Sequence, residues 1–147
     1  MLIRPRSFLL ILAVLFGIWW VVLAIRPWHR NDWLLENALA IAGVVLLTVF
    51  HRRLLFSRVS YTLIFVFMCL HQVGAHYTCS EVPYDVWFQN LTRRTFNSLV
   101  GWERNNFDRV VPFSYGLLLA YPVREIFLRV VNVRGFWGYF LPLDLTM

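Results

Sequence analysis

Three long apolar runs constrain what this chain can fold into. The first, FLLILAVLFGIWWVVLAI, extends over eighteen residues from Phe8 to Ile25 without a charged side chain. In a helix that rises about 1.5 Å per residue, such a run nearly matches the hydrocarbon core of a bilayer, which is about 30 Å thick. Similar runs cover about residues 33–50 and 59–76. The sequence therefore predicts an all-α, polytopic helical membrane protein.

Two further apolar segments are less regular. The fourth covers about residues 110–131 and includes Pro122, Arg124, Glu125 and Arg129. Proline bends a helix and a long arginine side chain can extend to the membrane surface, so the segment still predicts a span. The fifth, about residues 136–143, is too short to cross. We expect one transmembrane domain over residues 1–147, with four complete transmembrane helices plus an incomplete fifth, in a chain shortened at its C-terminus.

The composition argues against a soluble domain and against a nucleic-acid-binding protein. Hydrophobic residues make up 59% and charged residues 15%, whereas a soluble domain has about 45–50% and about 25%. All fourteen basic residues are arginines, and the net charge is +6. They lie between the apolar segments and form no single basic stripe, so we expect the lipid bilayer as partner and no nucleic acid. Protein partners cannot be read from the sequence, and no cofactor motif is present.

The arginines also predict an orientation. Cytoplasmic loops of membrane proteins carry an excess of basic residues. With a cytoplasmic N-terminus, the inner side holds Arg4, Arg6, Arg52, Arg53, Arg58, Arg124, Arg129 and Arg134. The short outer loop holds Arg26 and Arg30, and the long outer loop, residues 77–109, balances four arginines with four acids. In that loop Phe88, Leu91, Thr95 and Leu99 recur at helical spacing, which fits either a short interfacial helix or an irregular loop.

This topology gathers titratable side chains at the outer ends of the spans. They are Glu36, His71, His76, Tyr77, Glu81, Asp108 and Arg109. Ionisable groups near a membrane interior usually face a partner or a cavity. Simpler explanations are a helix-dipole contact for Glu36, a surface ion pair for Asp108 with Arg109, and local pairing of Glu125 on the inner side with its neighbouring arginines.

Two functional hypotheses follow. The first is a binding or interaction protein with a polar pocket on the outer face. The alternative is a membrane-embedded enzyme that acts on lipids or their head groups, with His76, Glu81, Asp108, Arg109 and Glu125 as catalytic candidates. A metal would have to use Glu36, His76, Glu81 and Asp108. His71 and His76 point about 140° apart on a straight helix, so we expect no tight metal site and no cofactor.

Three stretches of the sequence, in this order, resemble one known family. GAHYTCSEVP, RNNFDRVVPFSYGLL and PVREIFLR are similar to the motifs of the YjdF family of bacterial inner-membrane proteins, and more weakly to VanZ-type membrane proteins. The resemblance implies a multi-pass protein of the bacterial inner membrane but no defined activity. It places the family's motif positions on His76, Tyr77, Glu81, Asp108, Arg109, Phe113, Gly116 and Glu125.

The chain departs from the family pattern at two positions and at its end. Cys79 stands where the family usually has tyrosine, and Pro112 where it usually has histidine. A histidine at position 112 would share a helix face with Asp108 and could bind a metal, which proline cannot do. Because proline favours a first helical turn, we expect a helix to begin near Val111. Further apolar segments with acidic motifs, typical of the family, do not follow.

Overall fold

A computed structural model of the protein describes residues 5–54, 56–131, 133 and 135–146. Within these residues every regular element is helical, which confirms the all-α prediction. The helices are α1 (Pro5–Ala24), α2 (Arg30–Leu54), α3 (Arg58–Tyr77), α4 (Tyr84–Thr92), α5 (Phe96–Val100), α6 (Phe107–Ile126) and α7 (Trp137–Thr146). A 3-10 turn, Cys79–Glu81, follows α3, and a π-helical turn, Phe127–Val131, follows α6.

Within the described part of the chain, three helices are long and apolar enough to cross a membrane. The crossing segments are Ser7–Ala24, Arg30–Val49 and Arg58–Tyr77. α6 also has 20 residues, but it carries Asp108 and Arg109 at one end and Arg124 and Glu125 at the other, so it is not among the three. The first three predicted spans are therefore supported, while the crossing by α6 and the single-domain organisation stay predictions. Arg4 and Arg134, used in the charge argument, lie outside the described residues, and the orientation also stays a prediction.

The helix α3 lies at the centre of the assembly and packs against α1, α2 and α6. The Trp19 indole on α1 donates a hydrogen bond of 3.1 Å to the Cys69 carbonyl on α3. α1 meets α2 mainly through Trp20, whose Nε1 lies 2.5 Å from Oδ1 of Asn37 and whose ring stacks on Trp33. α7 returns along α6. We call the end of the bundle formed by the start of α2, the end of α3 and the start of α6 the outer end, after the predicted topology.

The start of α6 corrects one prediction. The helix begins at Phe107, not near Val111, so Pro112 lies beyond the first turn. The reason is the segment before the helix: the Asn105 side chain accepts the Phe107 N–H at 3.0 Å and donates to the Val82 carbonyl at 2.7 Å. These side-chain bonds satisfy a free amide at the helix start, as capping residues do, and so the helix begins without help from proline.

The long outer loop contains two helices. α4 confirms a short helix in this loop, but the helical spacing does not continue to Leu99. Arg93 ends α4 in the left-handed conformation, with φ of 60°, and its N–H bonds to the Gln89 carbonyl. The chain then turns back, and the Asp85 carboxylate accepts the Asn97 N–H at 3.0 Å. We call residues 84–100 the α4–α5 hairpin.

Candidate functional site

Glu36 lies in the first part of α2, at the outer end of the bundle. Its carboxylate interacts electrostatically with His71 on α3 and with Asp32, one turn earlier on its own helix. The oxygen Oε2 is buried and has no hydrogen-bond partner among the described residues. A helix-dipole contact therefore does not fully describe Glu36, because a buried carboxylate oxygen normally has a donor beside it.

Cys79 connects this carboxylate to α6. The thiol lies against Gly74, where a methyl group would come within 2.7 Å of Sγ. Burial is the main cause that raises the pKa of the Cys79 thiol, and the Glu36 carboxylate raises it further. A backbone hydrogen bond lowers this pKa, and the Asp108 carboxylate adds a smaller increase. The carboxylates of Glu36 and Asp108 thus both interact electrostatically with the Cys79 thiol, and we call these three side chains the outer acidic cluster. Cys79 was not among the candidate site residues predicted from the sequence, since nothing in its spacing indicates acidic neighbours.

Several oxygens in and beside this cluster lack donors. Oδ1 of Asp108 and Oγ1 of Thr78, like Oε2 of Glu36, are buried without a partner in the described part of the chain. Leaving such atoms unpaired costs about 1–3 kcal/mol each. The arrangement is therefore suited to accept hydrogen bonds from a molecule that brings donors.

His76 contacts backbone groups of α1 and of the segment that follows it. Its ring nitrogen Nδ1 lies 2.6 Å from the Leu23 carbonyl on α1, and its own carbonyl accepts the Trp28 N–H at 3.1 Å. A carbonyl oxygen can only accept, so Nδ1 carries the proton. Only 9% of His76 is exposed. The two contacts join the end of α1 and the segment after it to the end of α3.

The other predicted residues of the outer face are divided among separate contacts. Glu81 lies 3.9 Å from Nε2 of His29, and both side chains are exposed. Asp108 pairs with Arg104 at 3.0 Å. The predicted Asp108–Arg109 pair is therefore wrong: the guanidinium four residues earlier reaches the carboxylate, while Arg109 is exposed. The structure brings Glu36, His71 and Asp108 toward a common region, and gives His76 and Glu81 other partners.

No group of three or more His, Cys, Asp or Glu side chains within the described ranges is placed to hold a metal ion. The prediction that the chain binds no metal tightly remains to be tested by metal analysis.

A second polar site lies at the opposite end of the bundle. Glu125 is only 7% exposed. Its Oε2 accepts the Ser57 N–H at 2.9 Å and the Ser60 hydroxyl at 2.7 Å, and its Oε1 lies 3.2 Å from Arg129. The predicted local pairing of Glu125 is thus correct for Arg129, whereas Arg124 packs over the ring of Tyr139. Sequence reasoning missed both serines, because they lie more than sixty residues away in the chain.

A large apolar cavity lies between α2, α3 and α6. Its volume is about 710 Å³, and its walls include Leu39, Gly43, Met68 and Leu119. His71 also lines it, and His71 is the residue that interacts with Glu36. Glu36 precedes Ala40 and Gly43 of the wall by four and seven positions, which places all three on one face of α2. The cavity therefore adjoins the outer acidic cluster at one end.

The fold and these sites define a helical membrane protein, and comparison with known proteins gives the family. Residues 8–147 match the family described as predicted membrane protein (DUF2238), so the chain belongs to that family. It is similar to the inner membrane protein YjdF of Escherichia coli (strain K12), with 35% identity over 106 residues.

The matched region covers 72% of this chain and 47% of YjdF, so the chain spans about half the length of that relative. No solved structure matches the chain. The predicted YjdF resemblance is confirmed, and both relations support a place in the bacterial inner membrane. Neither name states an activity.

Proposed function

We propose that this protein binds a single-chain amphiphile within the membrane. The apolar chain occupies the cavity between α2, α3 and α6, and the polar head group lies at the outer acidic cluster. The proposal is carried by the cavity of about 710 Å³, which is lined by His71. His71 interacts electrostatically with Glu36, whose Oε2 is buried without a partner among the described residues. Ligand sites of about 300–1,000 Å³ with apolar walls and a few converging polar groups are the common form in proteins.

The cluster also indicates the chemistry of the head group. Ionised carboxylates only accept hydrogen bonds. Since Oε2 of Glu36 and Oδ1 of Asp108 are buried without partners among the described residues, the head group must supply donors. An ammonium or a hydroxyl group fits this requirement, and a phosphate or carboxylate does not, because like charges repel.

Two glycines provide a matched experiment. A side chain added at Gly43 or at Gly17 meets no heavy atom within 4 Å, but only Gly43 belongs to the cavity wall. Gly43→Trp fills the cavity, whereas Gly17→Trp makes the same exchange on α1. We expect an alkyl amine or alkyl alcohol, added to the purified protein, to be retained by the wild type and by Gly17→Trp in native mass spectrometry, and lost from Gly43→Trp.

Glu36→Gln tests the head group separately. It removes the negative charge and keeps the shape of the side chain, so retention of the amine should fall while retention of the alcohol changes less. Equal retention by Gly43→Trp and Gly17→Trp would rule out the cavity as the site. The alternative hypothesis, an enzyme that acts on lipids, would instead require turnover of the bound molecule.

A further inference from the structure

The α4–α5 hairpin is joined to the membrane-spanning bundle by a row of aromatic rings. Trp28 and Tyr77 meet edge to face with centroids 5.7 Å apart, and Tyr77 meets Trp87 in the same way at 5.6 Å. Tyr77 is the last residue of a membrane-crossing helix. Tryptophan and tyrosine concentrate at the membrane–water interface. The row of rings therefore places Trp87, and α4 with it, at the level of that interface.

Beyond Trp87 the hairpin presents apolar side chains that no other part of the described chain covers. Leu91 follows Trp87 by one helical turn on the same face and is 85% exposed, and Trp87 itself is 43% exposed. Leu99 and Val100 of α5 are exposed as well. An apolar strip of this kind on a helix at interface level fits the boundary between head groups and acyl chains.

Two arginines follow directly at the end of α4. Arg93 and Arg94 are exposed, and neither guanidinium pairs with a carboxylate among the described residues. Asp85, the acidic residue of the hairpin, is turned inward, where it accepts the Asn97 N–H at 3.0 Å. A guanidinium matches the geometry of a phosphate oxygen pair. The charge at this edge therefore complements an anionic lipid surface.

We propose that the α4–α5 hairpin is a lipid-binding element that lies in the surface of the membrane and binds anionic phospholipid head groups through Arg93 and Arg94. Leu91 and Trp87 enter the boundary of the acyl chains, and the two guanidinium groups contact lipid phosphates. This site is separate from the amphiphile cavity and does not depend on it.

The retention of an anionic lipid tests whether Arg93 and Arg94 bind phospholipid head groups. The full chain is reconstituted in nanodiscs of phosphatidylcholine with a minority of phosphatidylglycerol, and bound lipids are counted by native mass spectrometry after release. Each arginine near an anionic surface contributes about 1 kcal/mol, so the Arg93→Gln/Arg94→Gln variant should retain phosphatidylglycerol roughly ten- to thirtyfold less. The control, Arg30→Gln/Arg109→Gln, removes two exposed charges at the same end, outside the hairpin. An equal loss in both variants would attribute the effect to net charge and overturn the proposal.

The depth of a spin label in the membrane tests whether the α4–α5 hairpin lies in the membrane surface. A spin label is attached to Leu91→Cys or to Glu103→Cys, in a background with Cys69→Ser and Cys79→Ser. We expect the label at 91 to collide mainly with lipid-soluble oxygen, and the label at 103 mainly with a water-soluble nickel complex. A label at 91 that is as accessible to nickel as the one at 103 would show that the strip faces water or a protein partner, and would overturn the proposal.

Discussion

Ser60 donates a hydrogen bond of 2.7 Å from its hydroxyl to Oε2 of Glu125, and so joins the first turn of α3 to the end of α6. The same oxygen accepts the Ser57 N–H at 2.9 Å. Ser57 is the N-cap of α3, and its hydroxyl also accepts the Ser60 N–H. A buried carboxylate at a helix N-terminus is stabilised both by the free N–H groups and by the helix dipole. Glu125 is therefore an anchor between two helices.

Loss of this anchor should destabilise the protein. Glu125→Ala removes the carboxylate that accepts from the half-buried Ser57 N–H and from the buried Ser60 hydroxyl, so we expect the free energy of unfolding to fall by about 2–3 kcal/mol. Thermal unfolding in detergent, followed by circular dichroism, would measure the change. The control is Glu81→Ala, which removes an exposed carboxylate. A Glu125→Ala variant as stable as Glu81→Ala would show that these hydrogen bonds contribute nothing measurable.

The contact between Gly74 and Cys79 predicts that Cys79→Ala restores stability lost in Gly74→Ala. In Gly74→Ala the new methyl group would lie 2.7 Å from Sγ of Cys79, and displacing the thiol should cost about 1 kcal/mol or more. Cys79→Ala removes the obstructing atom. The double variant should therefore be more stable than the sum of the two single changes, as shown by a double-mutant cycle of melting temperatures. Simple additivity would mean that the two side chains do not meet.

The reactivity of Cys79 should depend on pH in an unusual range. The thiolate is the form that reacts with maleimide, and burial together with the Glu36 and Asp108 carboxylates raises the pKa of this thiol. In a Cys69→Ser background, the labelling rate should therefore rise at higher pH than the rate of an exposed cysteine in Glu103→Cys/Cys79→Ser. Asp108→Asn removes one carboxylate charge and should move the Cys79 profile toward lower pH. Coinciding profiles for the two cysteines would contradict the arrangement.

The orientation can be settled by labelling in intact cells. With a cytoplasmic N-terminus, a cysteine in place of Asn90 on α4 lies outside, and one in place of Leu55, between α2 and α3, lies inside. In a Cys69→Ser/Cys79→Ser background, a membrane-impermeant maleimide should label only the first until the cells are opened. Labelling of position 55 alone would reverse the predicted topology.

The sequence predicted the helices better than the site, for a physical reason. The positions of α1, α2 and α3 follow from the apolar runs and their length, because an apolar segment long enough to cross the hydrocarbon core is stable there as a helix. The start of α6 was misplaced because the side chain of Asn105, and not Pro112, supports the first turn. The sequence pattern around a helix start does not reveal a capping side chain whose position depends on a neighbouring loop.

The partners of the polar residues were predicted less well, because they depend on packing between distant segments. The predicted topology placed Glu36 and Asp108 at the same end of the bundle. It could not show that the His76 ring would form a hydrogen bond with the Leu23 carbonyl. Nor could it show that the Cys79 thiol would lie against Gly74 and interact electrostatically with both carboxylates. Ser57 and Ser60 carried no sequence signal that would link them to Glu125.

The docking of α1 on α3 has a consequence for biosynthesis. α1 packs along α3, while its contact with α2, the next helix in the chain, is confined mainly to the region of Trp20. The bonds from His76 to Leu23 and Trp28 form only once the end of α3 has left the ribosome. During synthesis, α1 and α2 are therefore inserted before they can pack fully, either in the lipid or beside the insertion machinery. Their packing is completed when α3 is inserted.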